Sequence, residues 1–156
     1  MARKDFYDDA SAPEANSITV AVSVVIQNDS GQLLLIRRTD NDLHSIPGGG
    51  QEIGETLAQT VVREVEEETG ITVRVTELVG LYSDPKHVIA YTDGEVKQEF
   101  SICFRAEPIS GELRTSDESS EVHWVDPADL DDLTIHPSIR LRISHGLAHL
   151  DRPYFS

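Results

Sequence analysis

The feature that most constrains the fold is an acidic, amphipathic segment at residues 56–70, TLAQTVVREVEEETG. Thr56 followed by Gln59 matches a capping-box start, and Gly70 stands where a left-handed helix C-cap is expected. At 100° per residue, one side of the segment collects the positions predicted to be buried: Ala58, Val61, Val62, Val65 and Thr69. The sequence therefore predicts a helix that packs one face into a core.

The charges on this helix are arranged unfavourably. Glu64, Glu67 and Glu68 are spaced i, i+3 and i+4, so they share one stripe, and each like-charge pair costs about 0.2–0.5 kcal/mol. They also occupy the last turn, where the helix dipole is negative. A local conflict of this kind tends to mark a functional site. Because hard divalent cations prefer carboxylate oxygens, the stripe indicates a metal site; a solvated acidic face is the alternative.

Composition limits the classes of partner and compartment. The 156 residues suit one domain with a real core. Thirteen basic and 28 acidic residues give a net charge of −15, which disfavours a nucleic-acid duplex or an anionic membrane as the main partner. The single cysteine, Cys103, excludes a disulfide scaffold and is expected to pack in the core. There is neither an 18-residue apolar run nor a signal-peptide pattern, so a cytoplasmic location is expected.

Hydrophobic patterning divides the chain into a short arm, one domain and a tail. Residues 1–16 are polar and aperiodic and are expected to form a flexible arm, followed by a domain over 17–150 and a tail over 151–156. Strands are predicted at 17–27, 33–38, 72–83, 97–109 and 121–127, the first two as a hairpin, with a last helix over about 138–150 whose apolar positions are Ile139, Leu141, Ile143, Leu147 and Leu150. This order predicts an α/β sandwich with a mixed sheet.

The spacing around the acidic helix forms a longer pattern. From Gly49, five residues lead to Glu55, seven more lead to Arg63, and EVEEETGI follows at 64–71. This pattern resembles the Nudix box, glycine-x5-glutamate-x7-arginine-glutamate-aliphatic-x-glutamate-glutamate-x-glycine-aliphatic, without a mismatch over 23 positions. A match with so many fixed positions is far more specific than a short glycine motif.

The resemblance to Nudix hydrolases covers most of residues 17–150 and implies a fold and a reaction. The implied fold is an α/β/α sandwich with a mixed central β-sheet. The implied reaction is hydrolysis within the diphosphate of a nucleoside diphosphate linked to another moiety, X, with Mg²⁺ or Mn²⁺ as the cofactor. The implied partner is thus a small nucleotide, and the sequence leaves open whether the chain forms a homodimer.

The resemblance also assigns roles to individual residues. The implied metal ligands are Glu64, Glu67, Glu68, the carbonyl of Gly48, and Glu118. Arg63 resembles the arginine that orients the neighbouring glutamate, and Glu55 its supporting carboxylate. Glycines at Gly49 and on either side of it let the backbone approach the metal and the phosphates without a Cβ collision. Arg38, at the end of LLLIRR, resembles a substrate-contacting position, although an arginine after a strand is more often a solvated end.

The identity of the general base stays open at this point. Glu64 can accept the proton of the attacking water while it ligates metal, and a carboxylate from a distant loop is an equal candidate. In SDESSEVHWV the register relative to Trp124, itself expected in the core, favours Glu118 over Glu121.

Three histidines occupy positions that could bear on the site. His44 precedes PGGG where many relatives carry tryptophan, and a packing or loop-surface role is favoured over a titrating one. His145 and His149 are spaced i, i+4 and could bind a metal together, but a surface pair on the last helix is favoured.

Two classes of function remain, an active hydrolase and a nucleotide-binding regulatory module that kept the fold. No carboxylate of the Nudix-box pattern is lost, which favours the enzyme.

The Nudix-box pattern does not indicate the chemical identity of X. Pro85, fifteen residues after Gly70, resembles a proline seen in enzymes that act on ADP-ribose, and it ranks ADP-ribose and related nucleotide sugars narrowly first. Nucleoside triphosphates, including oxidised ones, rank second and dinucleoside polyphosphates third.

Overall fold

The computed structural model describes residues 2–156, which form ten strands and two α-helices. The helices are α1 (Leu57–Thr69) and α2 (Pro137–Ala148), and a 3₁₀ turn covers Pro127–Asp132. The strands are β1 (Arg3–Tyr7), β2 (Ser17–Ile26), β3 (Leu33–Arg38), β4 (His44–Ser45), β5 (Gly48–Gly50), β6 (Ile71–Tyr82), β7 (His87–Tyr91), β8 (Val96–Gly111), β9 (Ser119–Val125) and β10 (Tyr154–Phe155). No helix in residues 2–156 is long and apolar enough to cross a membrane.

The strands form two sheets. The larger has the order β1-β7-β8-β2-β5, and the 16-residue β8 also pairs with β6, which pairs with β10. The β2–β8 and β6–β10 pairs are parallel and the other pairs are antiparallel, so the sheet is mixed. The smaller antiparallel sheet has the order β4-β3-β9.

Side-chain alternation along β2 builds a core on each face of the sheet. Val24 and Ile26 belong to the cluster that contains Val61 and Val65 of α1. Val25, between them, points to the opposite cluster, which contains Ile143 of α2. Because successive side chains of a strand alternate between faces, the two helices cover opposite sides. The predicted α/β/α sandwich is confirmed.

The predicted start and end of α1 are confirmed in atomic detail. Thr56 Oγ1 accepts the N–H of Gln59 at 3.2 Å, and the Gln59 side chain accepts the N–H of Thr56 at 2.8 Å. Gly70 has φ 81° and closes the helix. The predicted buried face is wrong at Ala58, which is exposed, because the buried face is rotated toward the acidic stripe and includes Glu64.

The predicted β2–β3 hairpin is wrong. The two strands meet only at the bridge between Gln27 and Leu33, and they then diverge into different sheets. The side chain of Asn28 accepts the N–H groups of Ser30 and Gln32 and holds the turn. The strands splay because β2 is apolar on both faces, so it is buried in the larger sheet with β8 and β5 as its partners.

Both ends of the chain are more ordered than predicted. Residues 3–7 were expected in a flexible arm, but they form β1, antiparallel to β7, with Phe6 buried. The tail contributes β10 beside β6. Strands at a sheet edge have unpaired N–H and C=O groups, and these terminal segments supply the missing partners. The last helix ends at Ala148, so Leu150 lies beyond it and is exposed, as is Leu141 within α2; Gly146 makes the close approach of α2 to Val25.

Candidate active site

A cavity of about 300 Å³ lies where β5, the start of α2 and the edge of α1 meet. One end holds the glycine strand β5 with Glu64, Glu118 and Arg38. The other end is formed by side chains from β1, β7 and α2: Arg3, Asp5, His87, His136 and Arg142. The cavity thus joins the predicted site to residues that the sequence pattern did not indicate.

The glycines of β5 touch the acidic helix so closely that no side chain fits between them. The N–H of Gly48 donates to Glu68 Oε1 at 3.1 Å. A Cβ on Gly49 would lie 2.3 Å from the Glu64 carboxyl carbon, and a Cβ on Gly48 would lie 2.3 Å from the carbonyl oxygen of Val22. The absence of a Cβ therefore lets Gly49 lie against the Glu64 carboxylate and lets Gly48 lie against the backbone of β2.

Two carboxylates of the acidic stripe are buried together. Glu64 is 8% exposed and Glu68 is 3% exposed. Burial raises the pKa of both groups, and the mutual repulsion of these carboxylates adds to the rise at Glu68. A hydrogen bond from Arg63 at Glu64, and one from the Gly48 N–H at Glu68, oppose the shift without cancelling it. A cation placed between them would stabilise the charged forms.

Arg63 is fully engaged in holding this arrangement. Its Nε and Nη2 donate to the two oxygens of Glu55 at 2.7 and 2.9 Å, and Nη1 donates to Glu64 Oε1 at 2.8 Å. Nη2 also donates to the carbonyl of Gly50 at 2.9 Å, which ties β5 to α1. The Arg63 guanidinium, helped by the N–H of Glu52, lowers the pKa of Glu55 to about 2. These contacts match the orienting and supporting roles that the resemblance implies.

Glu67 lies beside the cavity and does not line it. Its side chain is exposed, and one carboxylate oxygen is 3.3 Å from Arg63 Nη1. Its charge also contributes to the raised pKa of Glu64. The third acid of the stripe is therefore placed on the solvent side of Glu64, within the same charge network.

The two loop acids have different surroundings. Glu118 lines the cavity, and its backbone is fixed there because its carbonyl accepts the Thr39 N–H at 3.2 Å and the neighbouring Ser119 Oγ donates to the Glu68 carbonyl at 2.6 Å. Glu121 does not line the cavity, and it pairs with Arg37 and His123, each at 3.1 Å. Of the two acids, the structure brings only Glu118 to the acidic helix.

Arg38 and His44 both reach the cavity wall. Arg38 donates to Asp40 at 2.9 and 2.6 Å, and its charge acts to lower the pKa of Glu68. His44 is half-buried, with Nε2 3.6 Å from Glu121 Oε2. Its position agrees with a packing role in the wall.

His145 and His149 do not form a metal-binding pair. His145 Nδ1 is 2.8 Å from the hydroxyl of Tyr82, and its ring stacks on that tyrosine. His149 is exposed and caps α2 with φ 48°.

Trp124 packs half-buried against the α1-side core, and Cys103 is fully buried, as predicted. Burial raises the pKa of the Cys103 thiol to about 11.

Sequence reasoning missed the whole far wall of the cavity. Arg3 and Asp5 lie on β1, His87 on β7 and Arg142 on α2, and His136 is the N-cap of α2. They lie up to 139 residues apart in the chain, from Arg3 to Arg142. No local spacing joins them. Only the pairing of β1 with β7 and the packing of α2 bring them to one cavity.

The donor set at the near end fits a hard divalent cation. Glu64 and Glu68 supply carboxylate oxygens that are already close and desolvated, Gly48 lies against them, and Glu118 faces the same space. Oxygen ligands of this kind suit Mg²⁺ and Mn²⁺. The fit is independent of the resemblance, because it rests on buried like charges that a cation would neutralise.

Comparison with known proteins agrees with this site. The NUDIX domain model matches residues 17–145. A MutT-like protein of Streptomyces ambofaciens is 41% identical over 122 residues, covering 78% of this chain and 71% of the relative. An ADP-ribose pyrophosphatase of Methanocaldococcus jannaschii is 38% identical over 115 residues, covering 69% of this chain and 61% of the relative.

A nucleoside triphosphatase of Escherichia coli, NudI, is 31% identical over 116 residues, covering 70% of this chain and 82% of the relative. Enzymes of this family generally use a divalent metal ion, in keeping with the carboxylates at the near end. The family match spans the glycine strand, the acidic helix and the loop of Glu118. The chain therefore belongs to the Nudix family of hydrolases, which act on phosphoric anhydrides.

Proposed function

We propose that this protein is a Mg²⁺-dependent pyrophosphohydrolase that cleaves the diphosphate of a nucleoside diphosphate linked to another moiety, X. One observation supports this above the rest: Glu64 and Glu68 are buried side by side against glycines whose backbone is open to the same cavity. Two buried carboxylates without a cation are costly, whereas a cation would make them a binding site for phosphate oxygens.

The chain's own residues perform positioning and proton transfer. Glu64 and Glu68 would hold the cation, and Arg63 fixes the orientation of Glu64. Gly49 lets the backbone of β5 lie directly against the Glu64 carboxylate because it has no Cβ. When bound, Mg²⁺ or Mn²⁺ neutralises phosphate charge and acidifies water.

Glu118 is the better of the two candidate bases. It lines the cavity, its side chain is exposed, and it has no ion pair among residues 2–156. Glu64 is tied to Arg63 and is needed for the cation. We therefore assign proton acceptance from the attacking water to Glu118, which a general base can do at hydrogen-bonding distance or through one water.

Two classes of X are to be tested. ADP-ribose is first, because a relative at 38% identity is an ADP-ribose pyrophosphatase and Pro85, fifteen residues after Gly70, resembles a proline seen in enzymes that act on ADP-ribose. Nucleoside triphosphates are second, because the relative at 31% identity is a nucleoside triphosphatase. Both share the nucleoside diphosphate that the site is expected to hold.

Turnover with product identification tests the reaction class. The purified protein is incubated with Mg²⁺ and a panel of nucleotide derivatives, and products are separated by chromatography. AMP with a sugar phosphate indicates a nucleotide sugar substrate, and a nucleoside monophosphate with pyrophosphate indicates a triphosphate. Tight nucleotide binding without turnover of any compound would instead support a regulatory module.

A further inference from the structure

Arg142 is a buried arginine without an acid partner. Its residue is 4% exposed, yet within residues 2–156 no carboxylate oxygen lies within 4.0 Å of its guanidinium and no hydrogen bond is formed by it. Its Nε is buried and lacks an acceptor. The nearest favourable contact is the ring of Tyr82, 5.2 Å from Cζ. An unpaired buried charge is expensive, so this guanidinium favours the binding of an anionic group in the cavity.

Other donors line the same end of the cavity. Arg3 Nε is also buried without an acceptor, and the Asp40 carboxylate is 3.9 Å from it. His136 caps α2, with Nδ1 accepting the Ser138 N–H at 3.2 Å. The neutral ring therefore carries its proton on Nε2, where it is a donor. Arg142, Arg3 and His136 thus offer N–H groups from two different elements.

The acids at this end of the cavity either pair with other residues or lie beyond ion-pair distance of Arg142. Asp5 accepts from Arg3 Nη2 at 2.9 and 3.0 Å and lies 3.6 Å from His87 Nε2. Burial raises the pKa of Asp5, but His87 and Arg3 outweigh it and hold the value at about 2. Glu99 lines the same cavity, but it does not reach ion-pair distance of Arg142. Arg142 is therefore not neutralised from within.

A cation site at this end is disfavoured. Asp5, His87 and His136 have ligand atoms within 4.8 Å of one another, which is the spacing of a metal site. Asp5 is occupied by both hydrogen bonds from Arg3, however, and His136 Nδ1 is occupied by the helix cap. Binding a metal at His136 Nε2 would move the ring proton to Nδ1, against the Ser138 N–H. The charge of Arg142 would also repel the ion.

We propose that Arg142, with Arg3 and His136, forms an oxyanion subsite that binds a negatively charged phosphate or carboxylate group on the X half of the substrate. The cavity then has a cation-binding end for the diphosphate and an anion-binding end for X. This inference rests on the proposed function but reverses its ranking of X, because it places an X group that carries a negative charge ahead of ADP-ribose. The terminal phosphate of a nucleoside triphosphate, or an acidic sugar, would pair Arg142, whereas the neutral terminal ribose of ADP-ribose would leave it unpaired.

Anion binding without metal tests the subsite apart from catalysis. Thermal unfolding is followed in EDTA with inorganic phosphate, and separately with acetate, for the wild type, Arg142→Met and Arg152→Met. Arg152 is an exposed arginine that does not line the cavity, so its variant changes net charge equally. We expect at least one anion to raise the Tm of the wild type and of Arg152→Met, and no such rise in Arg142→Met. The anion that acts identifies phosphate or carboxylate as the group.

The stability of Arg142→Met without ligand separates a binding role from a packing role. Replacing an unpaired buried charge by methionine should leave the Tm unchanged or raise it. A lower Tm together with an unchanged anion response would show that Arg142 only packs on Tyr82, and the subsite would be wrong. A rise in Tm with Zn²⁺, absent with both anions and lost in His87→Asn, would overturn it in favour of a metal site.

Substrate pairs test the subsite during turnover. With Mg²⁺, kcat/KM is compared for UDP-glucuronate against UDP-glucose and for ATP against ADP-ribose. We expect the charged member of at least one pair to be favoured at least about tenfold in the wild type, and the ratio to fall about tenfold in Arg142→Met. An equal ratio in both proteins contradicts the subsite. Absence of turnover with every compound contradicts the proposed function instead, and leaves the EDTA experiment to decide the subsite.

Discussion

Arg63 and Arg142 are both helical arginines at the wall of the same region, but their surroundings are opposite. Every nitrogen of Arg63 donates, to Glu55, to Glu64 or to the carbonyl of Gly50. Arg142 is more deeply buried and donates to no acceptor in residues 2–156. A guanidinium whose N–H groups all have acceptors is saturated and belongs to the scaffold. An unsaturated guanidinium, whose N–H groups lack acceptors, is available to a ligand when it lies in a cavity.

The same contrast separates the acids. Glu55 is saturated by Arg63, the Glu52 N–H and Thr60, and its pKa is lowered. Glu68 is buried with one hydrogen bond from Gly48, and its pKa is raised. Groups whose hydrogen bonds are satisfied thus hold the helix and loop together, whereas Glu68, beside the cavity, has one hydrogen bond and Arg142, in the cavity wall, has none among residues 2–156. Substitutions at the two kinds of position should therefore differ in stability as well as activity.

The largest effect is expected at Glu68. Glu68→Gln removes a cation-binding carboxylate, so turnover should fall about 10³-fold or more. Without metal the variant should be as stable as the wild type or more stable, because a desolvated charge is lost. Glu66→Gln, on the exposed side of α1, is the matched control and should keep near-wild-type activity. Near-wild-type turnover of Glu68→Gln at sub-millimolar Mg²⁺ would rule out this helix as the metal site.

Arg63→Met should remove the hydrogen bonds of the arginine that is fully paired. It leaves Glu55 and Glu64 without their shared donor, so activity should fall about 10²-fold through misplacement of Glu64. The Tm should fall too, because hydrogen-bonded carboxylates lose their partner. Calorimetry of Arg63→Met beside Arg142→Met provides the check. A Tm change of the same sign and size in both variants would mean that saturation does not distinguish the two arginines.

Glu118→Gln should affect the chemical step more than binding. If Glu118 accepts the proton, kcat should fall about 10²-fold with KM within about threefold of the wild-type value. Glu121→Gln, which breaks the pair with Arg37 outside the cavity, should keep kcat within about threefold. Steady-state kinetics on one substrate decides between them. Small and equal losses in both variants would return the base role to Glu64.

The smallest expected effect is a pH dependence of stability without metal. Because the folded pKa of Glu64 and Glu68 is raised, the folded state binds more protons than the unfolded chain above about pH 4.5. Stability is therefore present at low pH and is lost as the pH rises, so the Tm in EDTA should fall by about 3–6 °C between pH 5.5 and 8.5. Glu55 and Asp5 have lowered pKa values and act below this window.

Scanning calorimetry in buffers without phosphate measures this dependence. Mg²⁺ should remove most of it, because the cation stabilises both carboxylates in the charged form. Glu68→Gln should flatten it without metal. A Tm that is constant or rises over this range would show that the buried pair is already ionised and satisfied.

The near end of the cavity was predictable because its residues are local in sequence. The glycine strand and the acidic helix lie within residues 48–70, and the capping box and Gly70 fix the helix that aligns Glu64 with Glu68. The sequence favoured Glu118 over Glu121 through its register relative to Trp124, and in the structure the neighbouring Ser119 is anchored to the Glu68 carbonyl.

The far end was not predictable, because it depends on pairing that no local pattern encodes. RKDFY at 3–7 is charged and short, and it becomes β1 only because β7 offers an edge. The predicted hairpin was wrong for the same reason, because β3 pairs with β9 in a second sheet and not with β2. Arg142 stood among residues predicted to be a helix, but nothing in the sequence indicated that its charge would be buried.

Titration with Mn²⁺ tests the central claim that the buried acids of α1 form a cation site. Mn²⁺ is paramagnetic, so the concentration of the unbound ion can be measured directly. The wild-type protein and Glu66→Gln should bind Mn²⁺ without substrate, and Mg²⁺ should compete for the same site. Glu68→Gln should lose at least about tenfold in affinity while remaining folded by circular dichroism. Equal Mn²⁺ binding by Glu68→Gln and the wild type, or none by the wild type at millimolar Mn²⁺, would contradict the assignment of Glu64 and Glu68 as cation ligands.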